Sequence, residues 1–358
     1  MIEVSPDIAF IEKLQAASGS QLTTCMQCGA CTASCSLSAD QDVFPRRQMI
    51  MAAWGMRDRL MADPYVWTCH QCGDCTVSCP RGVSPGDVMA ALRQEQIIHY
   101  SRPRFIARWM QRPAFLPLVV LFPMLTILLI ILMAGTLHIP EGPVDYSKFF
   151  PHGWLNGSFT ALFILSTIGA VAGLKSFWKS ASGIPEAPAS GRWLKIIGRI
   201  LWHRDFRQCT EEKSRSLSHL FVFWGFILLL FVTFFAILST IFFNYPFGFL
   251  NPVKIAGNAG ALLLFTGSTL MIMNRLLKRN TLRSNYADWF FLLSFWLLTV
   301  TGILVEAARF LDWSHAYHIY LFHLILVWII ILYYPYTRFA HFLYRTLSLL
   351  LIGTTKPT

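Results

Sequence analysis

Eight of the nine cysteines fall between residues 25 and 79, in two runs of identical spacing. The first is Cys25-x2-Cys28-x2-Cys31-x3-Cys35 and the second is Cys69-x2-Cys72-x2-Cys75-x3-Cys79-Pro80. Three thiolates in one tight loop hold three corners of a cubane, and the fourth ligand arrives from elsewhere. Where two such runs share a domain, the fourth cysteine of each serves the other run's cluster. Cys25, Cys28, Cys31 and Cys79 are therefore expected to bind one 4Fe-4S cluster, and Cys69, Cys72, Cys75 and Cys35 the other. Gly29 and Gly73 occupy matching places, where the backbone must approach a cluster closely. Disulfides need an oxidising compartment, and zinc sites usually pair two C-x2-C knuckles. The doubled spacing favours iron–sulfur over both. Ser36 follows the first run where the second has Pro80, which changes a turn and no ligand. Cys209 stands outside both runs and reads as a free thiol.

Helical signals surround the cysteines. Ser5-Pro6 opens a periodic stretch that ends at Gly19, and residues 45–62 and 84–99 carry helical patterns, the latter opening with Ser84-Pro85. Strand-like alternation is absent up to residue 112. Residues 1–100 are thus expected to form an α-helical ferredoxin-like domain, and 101–114 a Pro- and Arg-rich linker. Beyond it lie six apolar segments near 115–135, 156–175, 218–243, 253–274, 286–308 and 316–337. Each is long enough for a hydrocarbon core of about 30 Å, which takes about 20 residues. The fold class expected is all-α, with residues 115–352 forming a six-helix transmembrane cytochrome b bundle. Pro117 and Pro123 are candidate kinks in the first span. Residues 192–208 read as an amphipathic helix at the membrane surface, with Trp193, Ile196, Ile197, Ile200 and Leu201 on one face. Phe339 to Ile352 is expected to lie along that surface as well.

Only 14% of residues are charged, against about 25% in soluble proteins, so an ordinary soluble enzyme is excluded. The 54% hydrophobic content excludes a disordered chain. The net charge of +11 is a topology signal, because 27 of 30 Lys and Arg lie in segments 1–112, 175–215, 275–283 and 338–358. The intervening loops hold only Lys148, Lys254 and Arg309. Six crossings with this bias put both termini and the cysteine domain on the cytoplasmic side of the inner membrane. Nucleic acid is not an expected partner, since residues 1–112 carry 11 basic and 10 acidic side chains.

Ionisable residues inside a membrane are usually functional, and histidines are the candidates here. His219 opens the third span and His341 follows the sixth, both on the inner side, where they suit a haem b held between them. His323 lies about two turns into the sixth span. His323 and His341 are 18 residues apart, five helical turns, and are therefore expected to share one face about 27 Å apart, the arrangement of two stacked haems. For the outer haem, His138 and His152 are the available partners of His323, and His152 in Pro151-His152-Gly153 is favoured. His203, seven residues after Ile196, can point inward to a haem, a quinone or a proton path. Glu306 and Arg309 near the outer end of the fifth span are possible quinone or proton contacts, and an i,i+3 ion pair explains them equally. No G-x-G-x-x-G follows a strand, so no flavin is expected on this chain.

The doubled cysteine runs with their intervening helices resemble the iron–sulfur protein of heterodisulfide reductase, its C subunit. Arg215 to Phe226 (RSLSHLFVFWGF) and Tyr333 to Arg345 (YYPYTRFAHFLYR) are similar to the membrane cytochrome b of that system and to the gamma subunit of respiratory nitrate reductase. Fusion of the two halves resembles the membrane protein of quinone-interacting membrane-bound oxidoreductases (Qmo). The nitrate reductase pattern places two haem histidines on one helix, whereas the third span here has His219 only. The resemblance implies two flavin-containing soluble partner subunits, menaquinone as substrate and adenylylsulfate reductase downstream. The expected function is oxidation of menaquinol and passage of electrons through haem b and two 4Fe-4S clusters to the cytoplasm. The alternatives are a heterodisulfide reductase-type complex and a non-catalytic iron–sulfur membrane anchor.

Overall fold

A computed structural model of the chain describes residues 5–38, 43–182, 193–203, 213–242, 250–277 and 283–352, and all regular elements among them are helical. They are α1 (Ile8–Ser18), α2 (Ala30–Ala33), α3 (Arg46–Ala53), α4 (Arg57–Ala62), α5 (Asp74–Val77), α6 (Pro85–Tyr100), α7 (Arg104–Trp109) and α8 (Leu116–Met133). There follow α9 (Tyr146–Phe149), α10 (His152–Ala181), α11 (Trp193–Leu201), α12 (Lys213–Phe242), α13 (Pro252–Leu277), α14 (Tyr286–Phe310), α15 (Ala316–Tyr333) and α16 (His341–Ile352).

In the cysteine domain, α1 is capped by Asp7, whose Oδ1 accepts the Phe10 amide at 2.9 Å, and it ends at Gly19 in the left-handed region. The Asp7 cap displaces the expected start at Ser5-Pro6. The single helix expected over 45–62 is two, α3 and α4, divided at Gly55. There the chain turns back onto α1, and a Cβ would stand 2.7 Å from the Asp7 amide nitrogen. Phe10, Leu14, Leu22, Met49, Leu60, Val88 and Leu92 form the core and are almost wholly buried. The expected linker is partly ordered, with α7 docked through buried Ala107 and Met110.

Six helices among the described residues are long and apolar enough to cross a membrane: Pro113–Met133, His152–Ala181, Ser214–Phe242, Pro252–Leu277, Tyr286–Phe310 and Ala316–Tyr336. They coincide with the six expected spans. Their outer faces stay apolar: Leu125, Leu165, Phe234 and Leu262 are each at least 58% exposed, as lipid contact requires. α12 and α13 approach closely over glycines. A Cβ on Gly225 would lie 2.7 Å from the Leu264 nitrogen and 2.8 Å from the Gly260 oxygen. Both are backbone atoms and cannot step aside alone. Gly225→Ala is expected to cost about 1–3 kcal/mol by overpacking, read as a lower thermal midpoint of the purified chain in detergent. An unchanged midpoint would mean that the helices are not held at this distance.

One expectation about the C-terminal segment needs correction. The sixth span does not continue to His341. Pro335 has no N–H for the helical ladder, and the chain passes through short 3-10 turns at Tyr334–Tyr336 and Arg338–Ala340 before α16 begins. His323 and His341 are therefore on different helices, and the shared-face geometry does not apply. α16 packs one face against the rest of the protein. Tyr344, Ser348 and Ile352, at four-residue spacing, form a buried stripe. Tyr344 stacks on Trp67 with ring centres 5.0 Å apart, and Ile352 enters the cysteine domain's core.

The cysteine domain sits on one end of the bundle, the end that also carries the described parts of the basic segments. Arg338 is the main tie: its Nε is 2.7 Å from Asp288 Oδ1 at the start of α14, and its Nη1 donates to Ala90 O of α6. Gly173 of α10 lies so near α6 that a Cβ would be 2.9 Å from Tyr100 O.

Candidate metal centres

The two cysteine loops are conformational duplicates. Gln27 and Gln71 have φ of 58° and 54°, and Gly29 and Gly73 have φ of 84° and 97°. Each glycine opens a one-turn helix, α2 or α5, and the fourth cysteine's amide then donates to Thr32 O or Thr76 O. Positive φ at Gly29 and Gly73 explains the glycines noted in the sequence. The glutamines were not singled out there, though both runs read Cys-x-Gln-Cys-Gly-x-Cys-Thr-x-Ser-Cys, an internal repeat that marks them.

Cys35 joins Cys69, Cys72 and Cys75 around one cavity, walled by Phe44, Pro45 and Met89. Burial lifts the Cys35 thiol to about 11, with added repulsion from Cys69 and Cys72. Cys75 is pushed higher still, by burial first and then by Cys69, Cys35 and Cys72. Buried thiols that oppose one another's ionisation become thiolates when a cation lies among them, so this donor set fits a metal cluster. In the first run, Cys31 is raised by burial and by the nearby Cys25. Cys25 and Cys79 pack against the same core, and Cys28 is exposed. Cys209 lies outside the described residues.

Directly beneath the second loop the structure brings three histidines together. His219 on α12 and His341 at the start of α16 have ring centres 6.0 Å apart and planes at 83°. His341 Nδ1 is 2.8 Å from Arg338 O. A carbonyl only accepts, so Nδ1 carries the proton and Nε2 the lone pair. Burial holds His341 down at about 4, hence neutral. His203 stands with its Nε2 2.8 Å from His219 Nδ1 and its ring edge-on to Phe223. Haem ligation asks for two neutral imidazoles across one iron. Metal–nitrogen bonds of about 2.0–2.1 Å plus about 1.2 Å from each nitrogen to its ring centre put those centres about 6.5 Å apart, near the separation found here. The second ring nitrogens of such ligands are normally hydrogen-bonded. The ring separation and the two hydrogen-bonded Nδ1 atoms fit such a site.

The other expected residues fall elsewhere. His323 faces α14: its Nδ1 is 2.9 Å from Thr301 Oγ1, and a Cβ on Gly302 would be 3.2 Å from its Cε1. His152 is the first residue of α10, which meets α15 through Phe159 and Trp328. Trp328 is five residues past His323, about 140° round the helix, so His323 and α10 lie on different flanks of α15. Glu306 pairs with Lys254 Nζ of α13 at 3.4 Å and faces Asn258 Nδ2, so the i,i+3 pair with Arg309 is not its partner. Arg309 instead helps to hold the Asp145 carboxyl below its usual range, behind the larger effect of the Ser147 hydroxyl. On α11, Ile196 is buried while Ile197 is 40% exposed. The rest of the amphipathic stretch, residue 192 and residues 204–208, lies outside the described residues.

Duplicated cysteine loops seated on a bundle of apolar helices define an iron–sulfur electron-transfer protein of multi-pass membrane type. Residues 21–83 match the 4Fe-4S dicluster domain. The chain is 30% identical to citrate utilization protein B of Escherichia coli over 279 residues, which cover 73% of each chain, and it belongs to that protein's family. Its N-terminal part is 41% identical over 90 residues to the C subunit of the H2:CoB-CoM heterodisulfide, ferredoxin reductase of Methanothermobacter thermautotrophicus. It is 38% identical over 82 residues to a protein of Archaeoglobus profundus that is itself like the heterodisulfide reductase C subunit. These matches take 25% and 23% of this chain and 48% and 44% of the relatives, so the chain spans about half the length of each. No solved structure gives a significant match.

Proposed function

We propose that the chain is the membrane subunit of a quinone-linked oxidoreductase complex, joining a menaquinol site to cytoplasmic flavoprotein subunits. The observation that carries this reading is the His219–His341 pair, with His219 Nδ1 held by His203 and His341 Nδ1 by Arg338 O, immediately beneath the loop of the second cysteine run. Haem b and the 4Fe-4S clusters, when bound, carry one electron at a time. A quinol yields two electrons and two protons on oxidation, and a flavin takes up two electrons, so the chain divides a two-electron donor from a two-electron acceptor. Its residues hold the carriers and exclude water between them. Cys25, Cys28, Cys31 and Cys79 are assigned to one cluster, Cys69, Cys72, Cys75 and Cys35 to the other, and His219 and His341 to the inner haem. His323 is kept as a ligand of an outer haem, whereas His152, on another flank of α15, is not its partner. The excess of Lys and Arg at the cysteine-domain end supports a cytoplasmic location for that end and for both termini. By the Qmo resemblance the final acceptor is adenylylsulfate reductase.

His203 orients His219 in this reading and is the residue best placed for quinone or proton contact at the inner end. Glu306 is already engaged by Lys254. Loss of such an outer-shell partner weakens metal binding about 10–100-fold. His203→Ala is therefore expected to give a chain that loses haem on dilution or mild heating, while Phe223→Leu, which removes only an aromatic contact to the same histidine, retains it. Equal haem retention in both would remove His203 from the site.

A second reading is supported by the relative whose match covers 73% of the chain. Its name ties it to citrate utilisation. In that reading a soluble partner oxidises a carboxylic acid and electrons run through the same carriers toward quinone. Reduced-minus-oxidised spectra of the purified chain test the shared core of both: a haem b band reduced by a menaquinol analogue supports them, and its absence leaves the non-catalytic anchor. Co-purification of adenylylsulfate reductase or of a carboxylate dehydrogenase separates the two.

A further inference from the structure

Two arginines join the histidine pair to one cysteine loop. Arg215 lies four residues before His219 on α12, and Arg345 four residues after His341 on α16, so each is one helical turn from its histidine and on the same face. Arg215 Nη1 donates to Gln71 O at 2.6 Å. Arg345 Nη1 donates to Trp67 O at 2.9 Å and Thr68 O at 3.0 Å, and its Nη2 is 3.2 Å from His70 Nε2. Both histidine-bearing helices thus touch the loop that carries Cys69 and leads to Cys72, each within its first two turns. Arg93 closes it from the other side, donating to Cys69 O at 2.9 Å and to Gln71 Oε1 at 3.2 Å. The first run is placed oppositely. Cys28 is exposed, and Met26 beside it is 58% exposed.

We propose that the cluster of Cys69, Cys72, Cys75 and Cys35 is the station next to the haem, and that the cluster of Cys25, Cys28, Cys31 and Cys79 is the outer one that faces the soluble partner. Arg215 and Arg345 are positioning residues for the inner junction. This order rests on the haem and cluster reading above. Their guanidinium charges also have an electrical effect. A cluster gains one negative charge on reduction, and fixed cations nearby favour that state. Removing either charge must make the second-run cluster harder to reduce, while the more distant first-run cluster is little affected.

The test uses the full-length chain in detergent. After rapid mixing with menadiol, a Cys28→Ser chain is expected to reduce its remaining cluster at the wild-type rate. A Cys75→Ser chain is expected to reduce its haem normally but its remaining cluster roughly tenfold or more slowly, since a station is missing. In equilibrium redox titrations followed by electron paramagnetic resonance, Arg345→Gln and Arg215→Gln are expected to lower the midpoint of the second-run cluster and leave the first unchanged. Fast reduction in Cys75→Ser with slow reduction in Cys28→Ser overturns the order, and a shift confined to the first-run cluster overturns the role of the arginines. A chain that purifies without haem overturns the functional reading and the order with it, so the two failures are distinguishable.

Discussion

A Cys79→Ser chain is expected to lose the cluster bound by Cys25, Cys28 and Cys31 and to keep the one bound by Cys69, Cys72 and Cys75, although Cys79 is nearest the latter in sequence. The physical reason is visible in the reciprocal half. Cys35 ends the first run, yet its side chain lines the cavity formed by Cys69, Cys72 and Cys75. Because the two loops share their backbone geometry at every special position, the same crossing is expected for Cys79. Iron content is expected to fall by about half, and Cys35→Ser is expected to give the complementary spectrum. If Cys79→Ser instead removes the signal that Cys69→Ser removes, each run holds its own cluster and the crossing is wrong.

His341→Ala is expected to abolish the inner haem outright. Its Nδ1 is committed to Arg338 O, so in the proposed site Nε2 would be the ligand atom, and alanine would leave His219 without a partner imidazole. The haem b difference band should disappear if the chain binds one haem and fall by about half if it binds two. His323→Ala distinguishes these cases, because it removes only an outer haem. The 4Fe-4S clusters should survive His341→Ala, since α16 stays anchored by Tyr344 on Trp67 and by Ile352 in the cysteine domain's core. Full haem content in His341→Ala would assign the ligand elsewhere.

What the sequence discloses here is what lies in local spacing. Cluster loops are defined by intervals of three and four residues, and membrane spans by unbroken apolar runs, so both are legible without tertiary information. The pairing of His219 with His341 also follows from depth, but the argument that tied His341 to His323 along one helix fails at Tyr334-Pro335-Tyr336. A proline near the end of a long apolar run leaves open whether the helix bends or stops. The division at Gly55 and the burial of α16 depend on which surfaces meet, which periodicity does not reveal. Arg215 and Arg345 looked like ordinary members of basic inner segments; only the folded chain puts them on the carbonyls of Gln71, Trp67 and Thr68. His203 was legible as an inward residue, whereas its contact with His219 depends on a left-handed turn after α11.

Anaerobic addition of a menaquinol analogue to the purified chain, with optical and paramagnetic detection in the same sample, addresses the proposed electron path as a whole. The haem b band should appear first and the signals of reduced 4Fe-4S clusters should follow, while the same addition to His341→Ala leaves the clusters oxidised. Clusters that become reduced in His341→Ala as fast as in the unaltered chain would contradict it.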